Sequence, residues 1–201
     1  MTSVHRWAVV SSSSAPALLA GGWVVAARLE GPGYDAGKET ISVLAVYGAP
    51  GYWVMSVAFV GLGVCHLCTA WGLRSAAWPG RLALAGGGIA ALLVAVVPTG
   101  ASGGSSAHGV VVATGFLLLA LWPVMAVRVS GNGPWALKPG PSVAATASMV
   151  AAAVWFVAES HRGGAAGTAE RVVTTMQSLW PFLVVMSCRG RPSAVARRRD
   201  V

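Results

Sequence analysis

The chain has 201 residues, of which 55% are hydrophobic and only 10% are charged, and its formal net charge is +8. A mean hydropathy of +0.67 over this length is typical of membrane proteins and excludes an ordinary water-soluble domain. We interpret the excess of basic residues as a signal of membrane orientation and expect no nucleic-acid partner.

Six apolar stretches follow one another along the chain, each close to the roughly 20 residues that a helix needs to cross a bilayer. They lie near residues 7–27, 53–73, 82–98, 110–127, 142–158 and 172–188. Gly, Pro and charged residues separate them, as in "EGPGYD" and "SAAWPGR", and such residues are typical of loops. The sequence therefore predicts an all-α transmembrane bundle with six spans, formed by a single domain over residues 1–188.

The first apolar stretch has an alternative interpretation as a signal peptide, because Arg6 precedes a run that ends in the small residues "VVAA". Four consecutive serines interrupt this run. Cleavage would also leave an odd number of spans and would place the Arg-rich C-terminus outside the cell. We therefore interpret the stretch as the first transmembrane helix.

The polar segment, residues 34–50 with the sequence "YDAGKETISVLAVYGAP", follows the first span. Acidic, basic, hydroxyl and aromatic side chains lie close together in it. The part "ETISVLAVYG", residues 39–48, predicts a short helix that ends at Gly48 and cannot span a bilayer. We expect this helix to lie in the membrane interface, over the mouth of the bundle.

The second span carries "CHLC" at residues 65–68. Haem attachment requires a His after the second Cys, and a structural zinc site requires four ligands. We therefore expect neither a metal nor a cofactor, and we interpret Cys65 and Cys68 as packing residues. His66 is expected to hydrogen-bond to a neighbouring helix.

The sixth span has a polar face. Glu170, Thr174 and Gln177 are separated by four and then three residues, which places them on one side of a helix. Trp180 and Pro181 end this polar face. Because a hydroxyl or an amide would be costly in contact with lipid, we expect the face to look into the bundle. Another helix and a substrate cavity are both compatible with this pattern.

Basic residues are distributed unequally between the two sides of the predicted bundle. The side of the termini carries ten Lys and Arg residues, and the opposite side carries four. Because Lys and Arg near span ends are retained in the cytoplasm, both termini are predicted to be cytoplasmic. The protein itself is predicted to reside in the cell (cytoplasmic) inner membrane. The basic tail, residues 189–201, is predicted to be disordered. Its expected partners are the lipid bilayer and anionic lipid headgroups.

Three stretches of the chain resemble a known family. They are "GYDAGKETISVLAVYGAPGYWVMSVAFVGLGVCHLCTAWGLR", "VPTGASGGSSAHGVVVATGF" and "GTAERVVTTMQSLWPFLVVMSCR". They are similar to the bacterial domain-of-unknown-function 998 family, six-span inner-membrane proteins common in actinobacteria. The resemblance implies this fold over nearly the whole chain but implies no settled activity. The loop after Pro98 departs from the family pattern, since it has the sequence "TGASGGSSA" where the family usually has a further acidic or polar residue close by. The matching positions are Tyr34, Asp35, Thr40, Ser42, His108, Gly109, Glu170, Arg171 and Trp180.

The candidate site residues lie mostly on the side opposite the termini, where a bundle would gather them around one outward-facing vestibule. The candidate catalytic residues are Asp35, Glu39, His108 and Glu170. The candidate substrate-binding residues are Tyr34, Arg171, Gln177 and Trp180. A carboxyl beside apolar walls would have a raised pKa and could donate a proton, with His108 as the base. This pairing is typical of an isomerase or cyclase that acts on a small amphipathic or isoprenoid-like substrate.

Two other classes of function remain compatible with the same residues. The acidic groups and the polar face of the sixth span could guide a cation or a proton-coupled solute in a transporter. The protein could also be a binding or scaffold protein. Ionisable groups collect at the membrane surface in any membrane protein, because burying one at the bilayer centre costs about 2.5–3.5 kcal/mol. The sequence leaves these classes open.

Overall fold

The computed structural model describes residues 5–97, 106–128 and 133–189. Within these ranges the chain is helical and contains no β-strand. The long helices are α1 (Arg6–Glu30), α2 (Tyr52–Gly72), α3 (Trp78–Val96), α4 (Ser106–Met125), α5 (Pro139–Arg162) and α6 (Ala166–Arg189). The prediction of an all-α fold is confirmed. Most of the loop after Pro98, and the basic tail beyond Arg189, lie outside the described residues.

Five of the long helices, α1 to α5, are long and apolar enough to cross a membrane. Helix α6 has a comparable length of 24 residues. Its polar residues Glu170, Arg171, Thr174 and Gln177 reduce its apolar character, which explains why it differs from the other five. The helices support a membrane-spanning bundle, and the sixth span remains a prediction.

The long helices form a closed ring. Each one contacts the next in sequence, and α6 returns to contact α1. Neighbours run antiparallel: Gly22 of α1 faces Ala58 of α2, whereas Gly72 at the end of α2 faces Ala8 near the start of α1. The connections at residues 31–51 and 163–165 therefore lie on one side of the bundle, which we call the segment side.

Small residues allow the helices to approach one another closely. A Cβ atom at Gly63 of α2 would lie 2.6 Å from the carbonyl oxygen of Gly88 in α3, so a side chain there would clash. A Cβ atom at Gly88 would in turn lie 3.1 Å from the Cβ atom of His66. The small-residue run of α3 thus provides the space in which α2 brings His66 into the bundle interior.

The polar segment covers the segment side of the bundle. It contains a 3-10 helix at Ile41–Ala45, inside the range 39–48 predicted to be helical. Ile41 and Leu44 are fully buried, whereas Tyr47 is exposed. The helix ends at Ala45 because the next residue adopts an extended backbone conformation. A second 3-10 helix, Trp135–Leu137, precedes α5 on the opposite side.

Candidate functional site

The first turn of α6 binds the polar segment through backbone groups. The N–H groups of Gly167 and Thr168 donate to the carbonyl oxygens of Lys38 and Gly37, each over 3.0 Å. The first N–H groups of a helix have no partner within the helix, so the segment caps α6. A Cβ atom at Gly167 would lie 2.2 Å from the carbonyl oxygen of Glu39. Glycine is therefore required where the two backbones meet.

Arg171 strengthens the same contact. Its guanidinium donates to the carbonyl oxygens of Ala36 and Glu39, over 2.8 and 3.0 Å, and to the Tyr34 hydroxyl. The guanidinium carbon also lies 5.9 Å from the ring centroids of both Trp23 and Tyr34. The arginine predicted to bind a substrate carboxylate thus makes its contacts in this structure with the chain itself, where it holds the polar segment against α6.

Tyr34 links Arg171 to the backbone of the segment. Its hydroxyl lies 3.2 Å from the carbonyl oxygen of Glu39 and 3.3 Å from that of Thr40, to which it donates. Burial raises the pKa of the Tyr34 phenol, and the hydrogen bond from Arg171 opposes this increase. The phenol therefore remains neutral at physiological pH and keeps the proton that it donates.

Glu170 faces the interior from the same turn of α6, just before the predicted span at residues 172–188. Its side chain is buried, with 4% exposure. The carboxyl accepts hydrogen bonds from the N–H of Ile41 and, over 3.2 Å, from the hydroxyl of Ser42. Burial raises the pKa of Glu170 to about 7, although these hydrogen bonds and the charge of Arg171 oppose the change. The carboxyl can therefore gain or lose a proton near neutral pH.

A central cavity of about 70 Å³ lies beneath the polar segment, with space for a few water-sized groups. Helices α1, α2, α3, α4 and α6 and the first 3-10 helix line it, mostly with apolar side chains. Its polar lining residues are Ser42, His66, Glu170, Thr174, Gln177 and Ser178. The polar face of α6 therefore looks into this cavity.

Two of these polar residues have atoms without a protein partner. His66 and Gln177 are each only 1% exposed. Among the described residues, neither ring nitrogen of His66 has a hydrogen-bond partner, and the same is true of Oε1 of Gln177. Nε2 of Gln177 donates to the carbonyl oxygen of Phe116 in α4, over 3.0 Å. Buried polar atoms usually have a hydrogen-bond partner, so these atoms are available to a molecule that occupies the cavity.

His66 was expected to hydrogen-bond to a neighbouring helix, and no such bond occurs among the described residues. The sequence contained only a weak signal of its place at the cavity, namely a histidine in the middle of an apolar span. Its position depends on the close approach of α2 and α3 at Gly88. That approach is a property of the packed bundle.

The acidic residues of the polar segment do not line the cavity. The carboxylate of Asp35 is exposed; it accepts the N–H of Gly37 over 2.9 Å and forms an ion pair with Lys38 over 3.9 Å. The carboxylate of Glu39 lies 3.5 Å from the backbone nitrogen of Asp35. Both acids therefore support the turn in which they lie.

The two remaining predicted residues also lie away from the cavity lining. His108 is buried, and its Nδ1 atom lies 2.7 Å from the carbonyl oxygen of Val97. Trp180 packs edge to face against Trp135, with 6.2 Å between ring centroids. Of the eight predicted site residues, Glu170 and Gln177 thus share the cavity, and Tyr34 and Arg171 meet in the contact above it.

No group of three or more His, Cys, Asp or Glu residues that could hold a metal occurs within residues 5–97, 106–128 and 133–189. Cys65 and Cys68 are free thiols. Cys65 is partly buried and Cys68 is exposed. The "CHLC" sequence therefore contributes His66, and neither thiol, to the lining of the cavity.

A ring of antiparallel helices, five of them long and apolar enough to cross a bilayer, indicates a multi-pass membrane protein with a partly polar interior. The family described as "Protein of unknown function (DUF998)" matches residues 14–187. The chain belongs to this family, and the resemblance seen in the sequence is confirmed. Neither a curated protein nor a solved structure matches the chain.

Proposed function

We propose that the protein binds a small, largely apolar molecule in the central cavity and catalyses proton transfer on it. The observation that carries this proposal is that the Glu170 carboxyl and the His66 imidazole both line one mostly apolar cavity. Carboxyl and imidazole groups are common general acids and bases in enzymes. The pKa of Glu170, which burial raises to about 7, suits a group that exchanges a proton at neutral pH.

Isomerisation is the reaction that these groups could perform without a cofactor. Glu170 would donate its proton to one carbon of a substrate double bond, which leaves a cation at the other carbon. His66 would then remove a proton from the next carbon beyond that cation. The double bond would move and the substrate would keep its formula, while proton exchange would return both side chains to their starting states. Phe59 and Phe116 also line the cavity, and their ring faces would stabilise a carbocation formed there.

This proposal gives Asp35, Glu39 and His108 no role in proton transfer, because other side chains form the cavity wall. Arg171 and Tyr34 would act on the site indirectly, since they hold the segment that provides Ile41 and Ser42 to the cavity. Gln177 would bind the substrate. Trp180 would have no contact with a molecule held in this cavity.

Transport is a second candidate, and the polar face of α6 favours it. Glu170, Thr174 and Gln177 extend along about two turns from the segment side into the bundle and all line the cavity. A polar surface of this kind could accept a solute at one side of the membrane. The solute would then leave the protein chemically unchanged.

We also propose an orientation in which both termini, and the basic tail 189–201, lie in the cytoplasm and residues 172–188 of α6 form the sixth span. The excess of Lys and Arg on the side of the termini supports this orientation. The protein would reside in the cytoplasmic membrane, with the polar segment facing outward above the cavity. The tail would bind anionic lipid headgroups.

The proposed activity can be tested with purified protein in lipid nanodiscs and a panel of isoprenoid-like and other small amphipathic molecules. Binding would be measured as an increase in melting temperature, and conversion by chromatography of the recovered molecule. We expect at least one molecule of the panel, called a hit, to bind the wild type. Binding of the hit should be lost in Ala91→Phe, because the larger side chain would fill the cavity. It should persist in Ala113→Phe, because Ala113 is exposed on α4.

We expect Glu170→Gln to reduce turnover by roughly 100-fold or more, since it removes the proposed general acid. Binding of the hit should persist, because the amide preserves the shape of the side chain. A hit that is bound but recovered unchanged, and that accumulates inside proteoliposomes, would indicate transport. Hits that survive Ala91→Phe, or the absence of any hit, would contradict a binding site in the cavity.

A further inference from the structure

We infer that the molecule bound in the central cavity carries a hydroxyl group, which His66 and Gln177 bind together. This inference rests on the proposed function, because it names the chemistry of a ligand for the same cavity. Both side chains line the cavity and are 1% exposed. Their unpartnered atoms define what a ligand must offer.

The unpartnered atoms include a donor and acceptors, so they suit a group that both donates and accepts. A neutral imidazole has one N–H donor and one acceptor nitrogen, and both nitrogens of His66 lack partners among the described residues. Oε1 of Gln177 is a further acceptor without a partner there. A hydroxyl can accept from the His66 N–H and donate its own proton to Gln177 Oε1.

The orientation of Gln177 explains why its oxygen is available. Its Nε2 atom donates to the carbonyl oxygen of Phe116, over 3.0 Å. That contact requires a donor, so the amide nitrogen must face Phe116. The amide oxygen Oε1 therefore does not take part in that contact. The atom of Gln177 that lacks a partner among the described residues is thus the acceptor Oε1, which a hydroxyl can satisfy and a carbonyl group cannot.

Other polar groups fit these side chains less well. A carboxylate would be repelled by the oxygen atoms of Gln177 and Glu170. Arg171 would not offset this repulsion, because it already donates to Ala36, Glu39 and the Tyr34 hydroxyl. A ketone would accept from His66 and leave Oε1 of Gln177 unsatisfied. An ammonium group could approach Glu170, but the carboxyl already accepts from Ile41 and Ser42. An ammonium group could also donate to the acceptor nitrogen of His66 and to Oε1 of Gln177, but it has no lone pair with which to accept from the His66 N–H.

The rest of the ligand should be hydrocarbon. Leu19, Phe59, Leu62, Val94 and Val111 line the same cavity. Binding hydrocarbon against these side chains is favourable, because it removes apolar surface from water. The combination describes a small alcohol with one hydroxyl group and an apolar body.

Three probes of similar size can test this inference: cyclopentanol, cyclopentanone and methylcyclopentane. Their affinities for the wild-type protein in nanodiscs would be measured by saturation-transfer NMR titration, corrected for partitioning into empty nanodiscs. We expect cyclopentanol to bind roughly ten- to a hundredfold more tightly than methylcyclopentane, with cyclopentanone between them. Cyclohexylamine, added as a fourth probe, should bind more weakly than cyclopentanol.

The variants His66→Phe and Gln177→Leu should each remove most of the preference for the alcohol while they still bind methylcyclopentane. His161→Phe is the matched control, because His161 is exposed at the end of α5, and it should keep the wild-type preference. Equal affinities of the wild type for the first three probes would overturn the hydroxyl assignment alone, since the cavity would still bind ligands. Tightest binding of the amine would overturn it in favour of a cation. Binding of none of the probes would overturn the cavity site itself.

Discussion

Glu170 and Arg171 are neighbours in sequence, yet their side chains have different roles on α6. Successive residues of a helix point about 100° apart, as 3.6 residues per turn require. The carboxyl of Glu170 accordingly enters the cavity lining, whereas the guanidinium of Arg171 donates to the backbone of the polar segment. A single turn of helix thus places an ionisable group at the cavity and also holds the polar segment above it.

The buried carboxyl of Glu170 should make the stability of the protein depend on pH. Because its pKa rises from 4.5 to about 7 on folding, the folded protein binds more protons than the unfolded chain between these values. Stability should therefore fall as the pH increases from about 5 to about 7 and level off above that range. Melting curves in nanodiscs between pH 4.5 and 8.5 would measure this dependence.

The variant Glu170→Gln should flatten this pH dependence, because an amide does not titrate. Glu159→Gln is the matched control: Glu159 accepts the N–H of Ala165, which immediately precedes α6, and it lies outside the cavity lining. This control should retain the wild-type slope. Equal slopes for the wild type and Glu170→Gln would show that another group produces the dependence.

Gly167 is the position where the polar segment and α6 tolerate no side chain. Gly167→Ala would place a Cβ atom 2.2 Å from the carbonyl oxygen of Glu39, and we expect a loss of roughly 1–3 kcal/mol in stability. Gly21→Ala is a suitable comparison, because no atom lies within 4 Å of a Cβ atom built there on α1. It should be neutral or stabilising. Equal melting temperatures for the two variants would contradict the close contact at Gly167.

At the scale of elements, the sequence contained most of the information about the helices and only part of the information about the site. Apolar runs bounded by Gly and Pro mark all the long helices, and the spacing of Glu170, Thr174 and Gln177 correctly assigned them to one inward face. The partners of the polar segment were not predictable, because Gly37 and Thr168 are 131 positions apart. A local pattern cannot distinguish an Asp35 that closes its own turn from an Asp35 that serves catalysis.

The contact between the polar segment and α6 can be weakened without touching the cavity. Arg171→Gln removes donors to the carbonyl oxygens of Ala36 and Glu39. We expect faster amide hydrogen exchange in residues 34–42, while exchange in α3 and α4 should remain unchanged. Mass spectrometry of peptic fragments would measure both.

Arg162→Gln provides the matched control for this experiment, since Arg162 is exposed at the end of α5 on the same side of the bundle. It should leave exchange in the polar segment at the wild-type rate. If Arg171→Gln also left that rate unchanged, the backbone hydrogen bonds from Gly167 and Thr168 would be sufficient to hold the segment.

At the scale of the whole molecule, the antiparallel ring assigns every connection to one of two sides. The proposed orientation places residues 31–51 outside and residues 73–77 in the cytoplasm. In a variant without the native cysteines, Gly33→Cys should react with a membrane-impermeant maleimide in intact cells. Ser75→Cys should react only after the membrane is permeabilised. The reverse result would invert the orientation, and with it the side from which the cavity is reached.

The ring also has a consequence for how the protein is made. Gly37 and Thr168 are separated by 131 residues, so the ribosome needs on the order of ten seconds to produce α6 after it has produced the polar segment. During that time the carbonyl groups that cap α6 have no helix to bind, and one wall of the cavity is missing. A chain that stops before α6 would expose both features, which would distinguish an incomplete protein from a finished one.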